Sequence, residues 1–337
     1  MERISNLQRH YAFLGYILDS KSKIARVSQE ISSGCKVIYG SDDPGAAGMI
    51  SSIQSKLERL DKHKQRIANG LSYLDMQDKL LGETTEVLIR TTELATQAAN
   101  ETLTAAQRAI IGEEVLGLKY NLINLINQQY VHSQIYGGAA SDKMPIVVAD
   151  PVTGGYLDPG DATGLSTRYV FAMYPGSDIT NSIYITDTEQ VRLNTPAYQV
   201  YGEALDALER LGRVLKGYEV TPPPPATPDG GGNAYTPDIL GYKQQTADIL
   251  ECIDMLNSAR VGQVENERTS VGVRMNQLLR ARDIVEIFKI DLDTARAEMQ
   301  DVDLFQAATD FTNLQISMEA LLQMTGTVNK LSLMNFL

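Results

Sequence analysis

Apolar residues recur every seven positions along two long stretches of the chain. From Ile53 the series runs through Leu60, Ile67, Leu74, Leu81, Leu88 and Ala95. Ile50, Leu57 and Leu71 add intervening contacts, and Lys64 interrupts them. Heptad spacing keeps one seam of a helix turned toward a lengthwise partner. The stretch "GSDDPGAAGM", residues 40–49, opens this helix, with Asp43 as its cap and Pro44 in the first helical position. Continuous from Pro44 to Asn100, it would be ~85 Å long. Asn69-Gly70 and Gly82 are weak points that do not erase the pattern. "NETLTAAQ" then turns the chain, and Thr104 with Gln107 forms a capping box. Ile111, Val115, Leu118, Leu122 and Leu125 predict a second helix returning antiparallel and ending near "YGG", residues 136–138. Val264, Val271, Leu278, Val285, Leu292 and Met299 again step by sevens, so residues 240–299 form another long helix that joins the first two.

Both chain ends are amphipathic. Ile4, Leu7, Tyr11, Leu14 and Leu18 are spaced 3,4,3,4. A slip follows, and Ile24, Val27 and Ile31 resume the stripe. Leu314, Leu321 and Val328 step by sevens, with Met318, Leu322 and Leu331 beside them. Two such helices cover each other only in part, so the remainder calls for other copies. The predicted assembly interface is Ile4, Leu7, Tyr11, Leu14 and Leu18 with Leu314, Met318, Leu321, Val328 and Leu331.

The middle has another character. "ADPVTGGYLDPGDATG" and "YPGSD" are turn-rich, and the alternating sets Tyr169/Phe171/Met173, Ile183/Ile185 and Val191/Leu193 read as half-buried strands. A helix over 199–216 carries Leu205, Leu208, Leu211 and Leu215. "TPPPPATPDGGGN", residues 221–233, is polyproline-like and then flexible. The fold expected is mainly α with a β-rich insert: a long antiparallel bundle or coiled-coil rod built from both termini, with an inserted outer α+β domain. Its parts are a terminal coiled-coil domain (1–42 and 300–337), a helical rod domain (43–138 and 238–299) and a β-rich outer domain (139–237). That insert is expected to be dispensable for folding of the helices.

Composition narrows the function. The net charge of −12, from 42 acidic and 30 basic residues, repels phosphate backbones, so no nucleic-acid groove is expected. "DKHKQR", residues 61–66, is the densest basic run and reads as a solvated face. No run of 18 apolar residues occurs, so no membrane-inserted helix is expected. The first residues show no basic head, unbroken apolar stretch or small-residue cleavage site. Chemistry is sparse. His10, His63 and His132 are not spaced to share a metal on one helix. Asp42-Asp43 reads as a capping pair, and Glu113-Glu114 point apart on their helix. "DPVTGGYLDPGDATG" lacks the calcium-loop spacing. Cys35 and Cys252 are read as two unpaired thiols. No phosphate loop, nucleophile elbow or dinucleotide fingerprint is present. No enzyme activity, cofactor or metal is expected.

"QEISSGCKVIYGSDDPGAAGM" resembles the "QLSSGKRI-N-SDDPAA" signature of the bacterial flagellin superfamily through Ile31–Gly34, Ile38 and Ser41–Pro44, with Cys35 departing from it. "TELATQAANETLTAAQRAIIGEEV", residues 92–115, is similar to the family's "RELALQA-NGTLS" segment. "LNSARVGQVENERTSVGVRMNQL" is similar to its "ARAEVGARLNRLE" helix with longer spacing. "VNKLSLMNFL" resembles the "SLLDYL"-type tail of members at the junction of hook and filament. The resemblance implies a non-enzymatic subunit that self-assembles into a helical tube, its terminal helices innermost and its insert outward. The implied partners are its own copies in a ring, hook-associated protein 1 on the hook side, flagellin on the filament side and a flagellar export chaperone. Export would use the flagellar type III apparatus without a cleaved signal, giving an extracellular flagellar location. Met318, Met324 and Met334 would suit a face meeting two neighbours. A filament flagellin and a cytoplasmic coiled-coil scaffold remain as alternatives.

Overall fold

A computed structural model describes residues 2–131, 133–138, 144–149, 156–157, 171–173, 180–186, 189–218, 235–236 and 239–334. Seven α-helices dominate them: α1 (Glu2–Ser33), α2 (Pro44–Ala98), α3 (Ala105–Ile126), α4 (Ala197–Leu215), α5 (Ile239–Ala259), α6 (Asn266–Gln300) and α7 (Leu304–Met334). Short antiparallel strands fill the interval before α4. β1 (Gln129–Tyr130) pairs with β2 (Ser133–Gln134). β3 (Val147–Ala149) lies between β4 (Tyr156–Leu157) and β5 (Phe171–Met173). β6 (Ser182–Tyr184) pairs with β7 (Gln190–Arg192). The fold is therefore mainly α with a small β-rich insert, as the alternation of seams and turns predicts. Tyr169, the turn segment 158–164 and the proline-rich segment 221–233 lie outside the described residues.

The chain divides into two compact units, Met1–Lys62 with Val285–Leu337, and His63–Ile284. These divisions fall inside α2 and α6, not at the predicted boundaries of 42/43 and 299/300. The reason lies in the neighbours of each stretch. Residues 44–62 of α2 pair with the end of α6, where Lys289 Nζ lies 2.7 Å from Asp61 Oδ1 and Arg296 donates to Gln54 at 3.2 Å. The later turns of α2 belong to a larger bundle.

In that bundle the predicted seam is the core: Ile67, Leu74, Leu81, Leu88 and Ala95 are fully buried. Thr104 and Gln107 make the reciprocal capping box that starts α3. α3 runs back along α2, with Arg90 bonded to Glu114 at 2.9 Å. α6 pairs with α2 through Arg268 and Asp78 at 2.8 Å. Gly70, an apparent weak point in the sequence, is buried where β6 docks. A Cβ there would lie 2.6 Å from Ile183 Cδ1 and 3.1 Å from Leu278 Cδ1, so any larger residue would require those side-chain ends to shift.

α4 corrects the expectation for 139–237. Fourteen of its nineteen residues are buried, Leu205, Leu208 and Leu211 among them, because α3 packs on one side and α5 on the other. Gly112 and Gly212 let α3 and α4 approach closely, since a Cβ on Gly112 would meet the Gly212 carbonyl at 3.1 Å. Lys119 of α3 and Glu209 of α4 form an enclosed ion pair at 2.6 Å. A span that includes α4 is part of the bundle core, not a dispensable appendage.

α5 and α6 join without a break through a π-helical turn, Arg260–Glu265. Buried positions step 245, 249, 252, 256, 259 and then 264, 267, 271, 274, 278, with one interval of five where four or three is the rule. One extra residue in the ladder is what a π turn absorbs. The seam thus stays aligned on both sides of it.

Candidate assembly surface

The two terminal helices, in the unit formed by 1–62 and 285–337, pack against each other. Their side chains are described at residue 8 and over 11–33 in α1, and over 304–327 in α7. The covered face of α1 is Phe13, Ile17, Ser20, Ile24, Val27 and Ile31, spaced 4,3,4,3,4, all half-buried except the buried Ser20. On α7, buried Ala307 and half-buried Phe311, Leu314, Met318, Leu321 and Thr325 repeat that spacing. A groove lined by Ser22, Lys23, Arg26, Val27, Asp310, Asn313 and Leu314 marks where the two faces meet.

The predicted interface therefore separates into two sets. Leu314, Met318 and Leu321 sit in the seam between α1 and α7 of the same chain. Tyr11, Leu14 and Leu18 are on another face of α1, with 64%, 41% and 65% of their surface exposed. The side chains of Ile4, Leu7, Val328 and Leu331 lie outside the described residues. The slip after Leu18 is now explained: Ile24, Val27 and Ile31 continue the face of Phe13 and Ile17, not the stripe of Leu14 and Leu18. Among the described side chains, the large apolar residues of α7 left uncovered are Leu304 and Phe305 at its start and Ile316, Leu322 and Met324 further along. Half-buried Met318 and exposed Met324 do not share one face. Phe13, Ile17, Phe311 and Ile316 were readable as apolar positions, but nothing in the spacing alone said which stripe would be covered internally.

A stapled loop connects α1 to α2. Gly34, at φ +71°, takes the left-handed conformation that ends α1, and its N–H donates to Glu30 at 2.9 Å. Cys35 forms an antiparallel bridge with Asp301 between α6 and α7, and Lys36 N–H donates to the Gln300 carbonyl at 2.7 Å. Asp43 caps α2 as predicted, accepting from Gly45 and Ala46 at 3.0 Å. Asp42 has a different job. Its Oδ1 takes Arg26 at 2.6 Å, and its Oδ2 accepts the N–H groups of Tyr39 and Ile38 at 2.8 and 3.1 Å. Arg26 also bonds Glu30 at 2.7 Å and the Lys36 carbonyl at 3.0 Å.

The Arg26 hydrogen bond, followed by those from the Tyr39 and Ile38 backbone, holds the Asp42 carboxyl at about 2. A folded-state value below the unfolded one means that the staple contributes fully above about pH 4 and is lost as pH falls through about 2. The Tyr39 amide resonance should accordingly titrate with its midpoint near 2, and that step should vanish in Asp42→Asn. A midpoint near 4 would show that the bond to Arg26 does not form.

Reactive chemistry is thin. Among the described residues no three His, Cys, Asp or Glu side chains are grouped to hold a metal ion. The side chains of His10 and His132 lie outside the description, and His63 is half-buried. Glu113 and Glu114 point apart to separate partners, Lys216 at 2.8 Å and Arg90 at 2.9 Å. Cys35 and Cys252 are free thiols, and burial pushes that of Cys252 up to about 12, away from reactivity. No helix among the described residues is long and apolar enough to cross a membrane.

Two family descriptions match this sequence: the bacterial flagellin N-terminal helical region over residues 4–135, and the C-terminal helical region over 253–337. Together they take in well over half of the chain. The flagellar filament 41 kDa core protein of Borreliella burgdorferi is 20% identical, over 92% of this chain and 91% of that protein. Flagellar hook-associated protein 3 of Escherichia coli is 21% identical, over 86% of this chain and 94% of that protein. The crystal structure of flagellar hook-associated protein 3 from Legionella pneumophila superposes with a TM-score of 0.57 at 12% identity, covering 74% of this chain and 98% of that one. At that identity the superposition speaks for the fold.

Proposed function

The chain belongs to the bacterial flagellin family, and from that premise we propose that it is the subunit joining hook to filament. It is a structural component of the flagellum, and family membership carries self-assembly with it. The finer reading is a short ring of copies between hook-associated protein 1 below and flagellin above, delivered by an export chaperone through the flagellar type III apparatus without signal cleavage. One observation carries most of this. α1 and α7 pair, yet Tyr11, Leu14 and Leu18 on one and Ile316, Leu322 and Met324 on the other stay uncovered. Paired helices with outward apolar stripes are suited to a layer in which each pair is closed by its neighbours.

The junction position is supported by the near-complete match to a hook-associated protein 3 and by the "SLMNFL" ending. A second reading, a filament flagellin, is favoured by the equally long match to a filament core protein. Deleting the gene while flagellin stays intact separates them. The junction reading expects hooks without filaments and flagellin monomers in the medium. Hooks that keep full-length filaments would overturn it in favour of a minor flagellin.

A further inference from the structure

Lys62 of the run "DKHKQR" and two cations that precede it make no ion pair among the described residues. Lys56, Arg59 and Lys62 are exposed on α2, three residues apart, and none has an ion-pair partner among the described residues. Glu58, also exposed and unpaired, is the one carboxylate on their edge. By contrast Asp61, on another side of the same helix, is taken by Lys289. In the other unit the charges are reversed. Glu203 and Asp206 project from α4, and Glu251 and Asp254 from α5, the two helices being packed together. Glu203, Glu251 and Asp254 have no cationic partner among the described residues, and Asp206 lies 3.8 Å from Arg210. Because α4 packs on α5, the four carboxylates stand on adjoining helices.

We propose that copies of this chain meet head to tail, the cationic face of Lys56, Arg59 and Lys62 on one copy lying against the anionic face of Glu203, Asp206, Glu251 and Asp254 on the next. The inference rests on the self-assembly reading above and names the residues that orient it. A chain of net charge −12 repels its own copies over most of its surface. The cationic face is where an approaching anionic patch is attracted instead. The two faces are different surfaces of one molecule, so the contact is heterologous and propagates into a ring or helix instead of closing as a two-fold dimer. Exposed ion pairs add little affinity singly, and their effect is on encounter and register. The uncovered apolar stripes of the terminal helices supply the affinity.

The test uses the full chain and sedimentation velocity. Lys56→Glu/Arg59→Glu/Lys62→Glu should weaken self-association by ~10-fold or more at ~50 mM salt, with the difference shrinking at ~300 mM. Glu203→Lys/Glu251→Lys/Asp254→Lys should do the same. An equimolar mixture of the two variants restores both complementary contacts, and association should return to within ~3-fold of the parent. Melting curves should match the parent because all six positions are exposed. The neutral set Lys56→Gln/Arg59→Gln/Lys62→Gln replaces the reversal if the latter unfolds, with a smaller loss expected in the same direction. Undiminished association of either variant overturns the proposal, as does a mixture that fails to recover or a parent that stays monomeric. Loss of binding to phosphatidylserine vesicles with self-association unchanged would assign the cationic face to an anionic surface instead. In cells whose deletion phenotype is hooks without filaments, either reversal variant supporting normal filaments would overturn this contact and leave the junction reading standing.

Discussion

Leu208→Asp should strongly destabilise the bundle formed by residues 63–284. Leu208 has no exposed surface, and α4 is enclosed by α3 and α5. The substitution removes the packing of a buried leucine and places a carboxylate where no cation waits. The Lys119 ammonium is already committed to Glu209 at 2.6 Å. Each change costs a few kcal/mol, and together they reach ~4–5 kcal/mol or more. That is a large share of the roughly 5–15 kcal/mol that holds a domain folded. At about 2–4 °C per kcal/mol for a unit of this size, Tm should fall by ~10 °C or more. Glu203→Ala, on the exposed side of the same helix, should shift stability by less than ~0.5 kcal/mol. Circular dichroism melts of the two variants decide the matter. Equal melting temperatures would mean that α4 is peripheral, as the sequence alone suggested when it grouped this helix with a dispensable insert.

That misassignment shows where sequence reasoning ran out. The seam of α2 was readable because Ile67, Leu74, Leu81, Leu88 and Ala95 are apolar at a fixed interval. Its companion seam is Gly70, Gln77, Thr84, Thr91 and Ala98, just as buried but mostly polar or small. Thr84 and Thr91 hide because each hydroxyl donates to the carbonyl four residues back, at 2.8 Å in both cases. Arg108 and Lys119 look like surface residues of α3. They are buried because Gln245 and Glu209, 137 and 90 residues away, come to meet them. No local pattern encodes such pairs. The π turn was foreshadowed by the longer spacing of "LNSARVGQVENERTSVGVRMNQL", but the interval of five becomes visible only once burial says which residues form the seam. At the assembly surface the sequence showed that both ends are amphipathic. Which of two neighbouring stripes on α1 faces α7 depends on the packing of that pair.

Removing residues 304–337 should stop assembly while leaving the 63–284 bundle folded. The deletion takes away α7, and with it Phe311, Leu314, Met318 and Leu321, the cover for Phe13, Ile17, Ile24, Val27 and Ile31. Truncation alone is blunt, because it destroys the α1–α7 pair along with any surface that the pair presents. Two point variants separate these effects. Ile24→Asp enters the covered seam, so it should loosen the pair and impair assembly together. Leu14→Asp/Leu18→Asp alters only side chains that the single chain leaves exposed. Loss of stability in the free protein should stay below ~0.5 kcal/mol, because no buried group is disturbed. In an assembly that covers the stripe, each aspartate would be a desolvated charge without a partner, at a cost of several kcal/mol per copy. Incorporation into flagella should therefore fall below detection by gold labelling, with an unchanged melting curve for the purified protein. Normal labelling of flagella by Leu14→Asp/Leu18→Asp would move the assembly contact off this face of α1. A lowered melting temperature would instead mean that the stripe is covered within the chain itself.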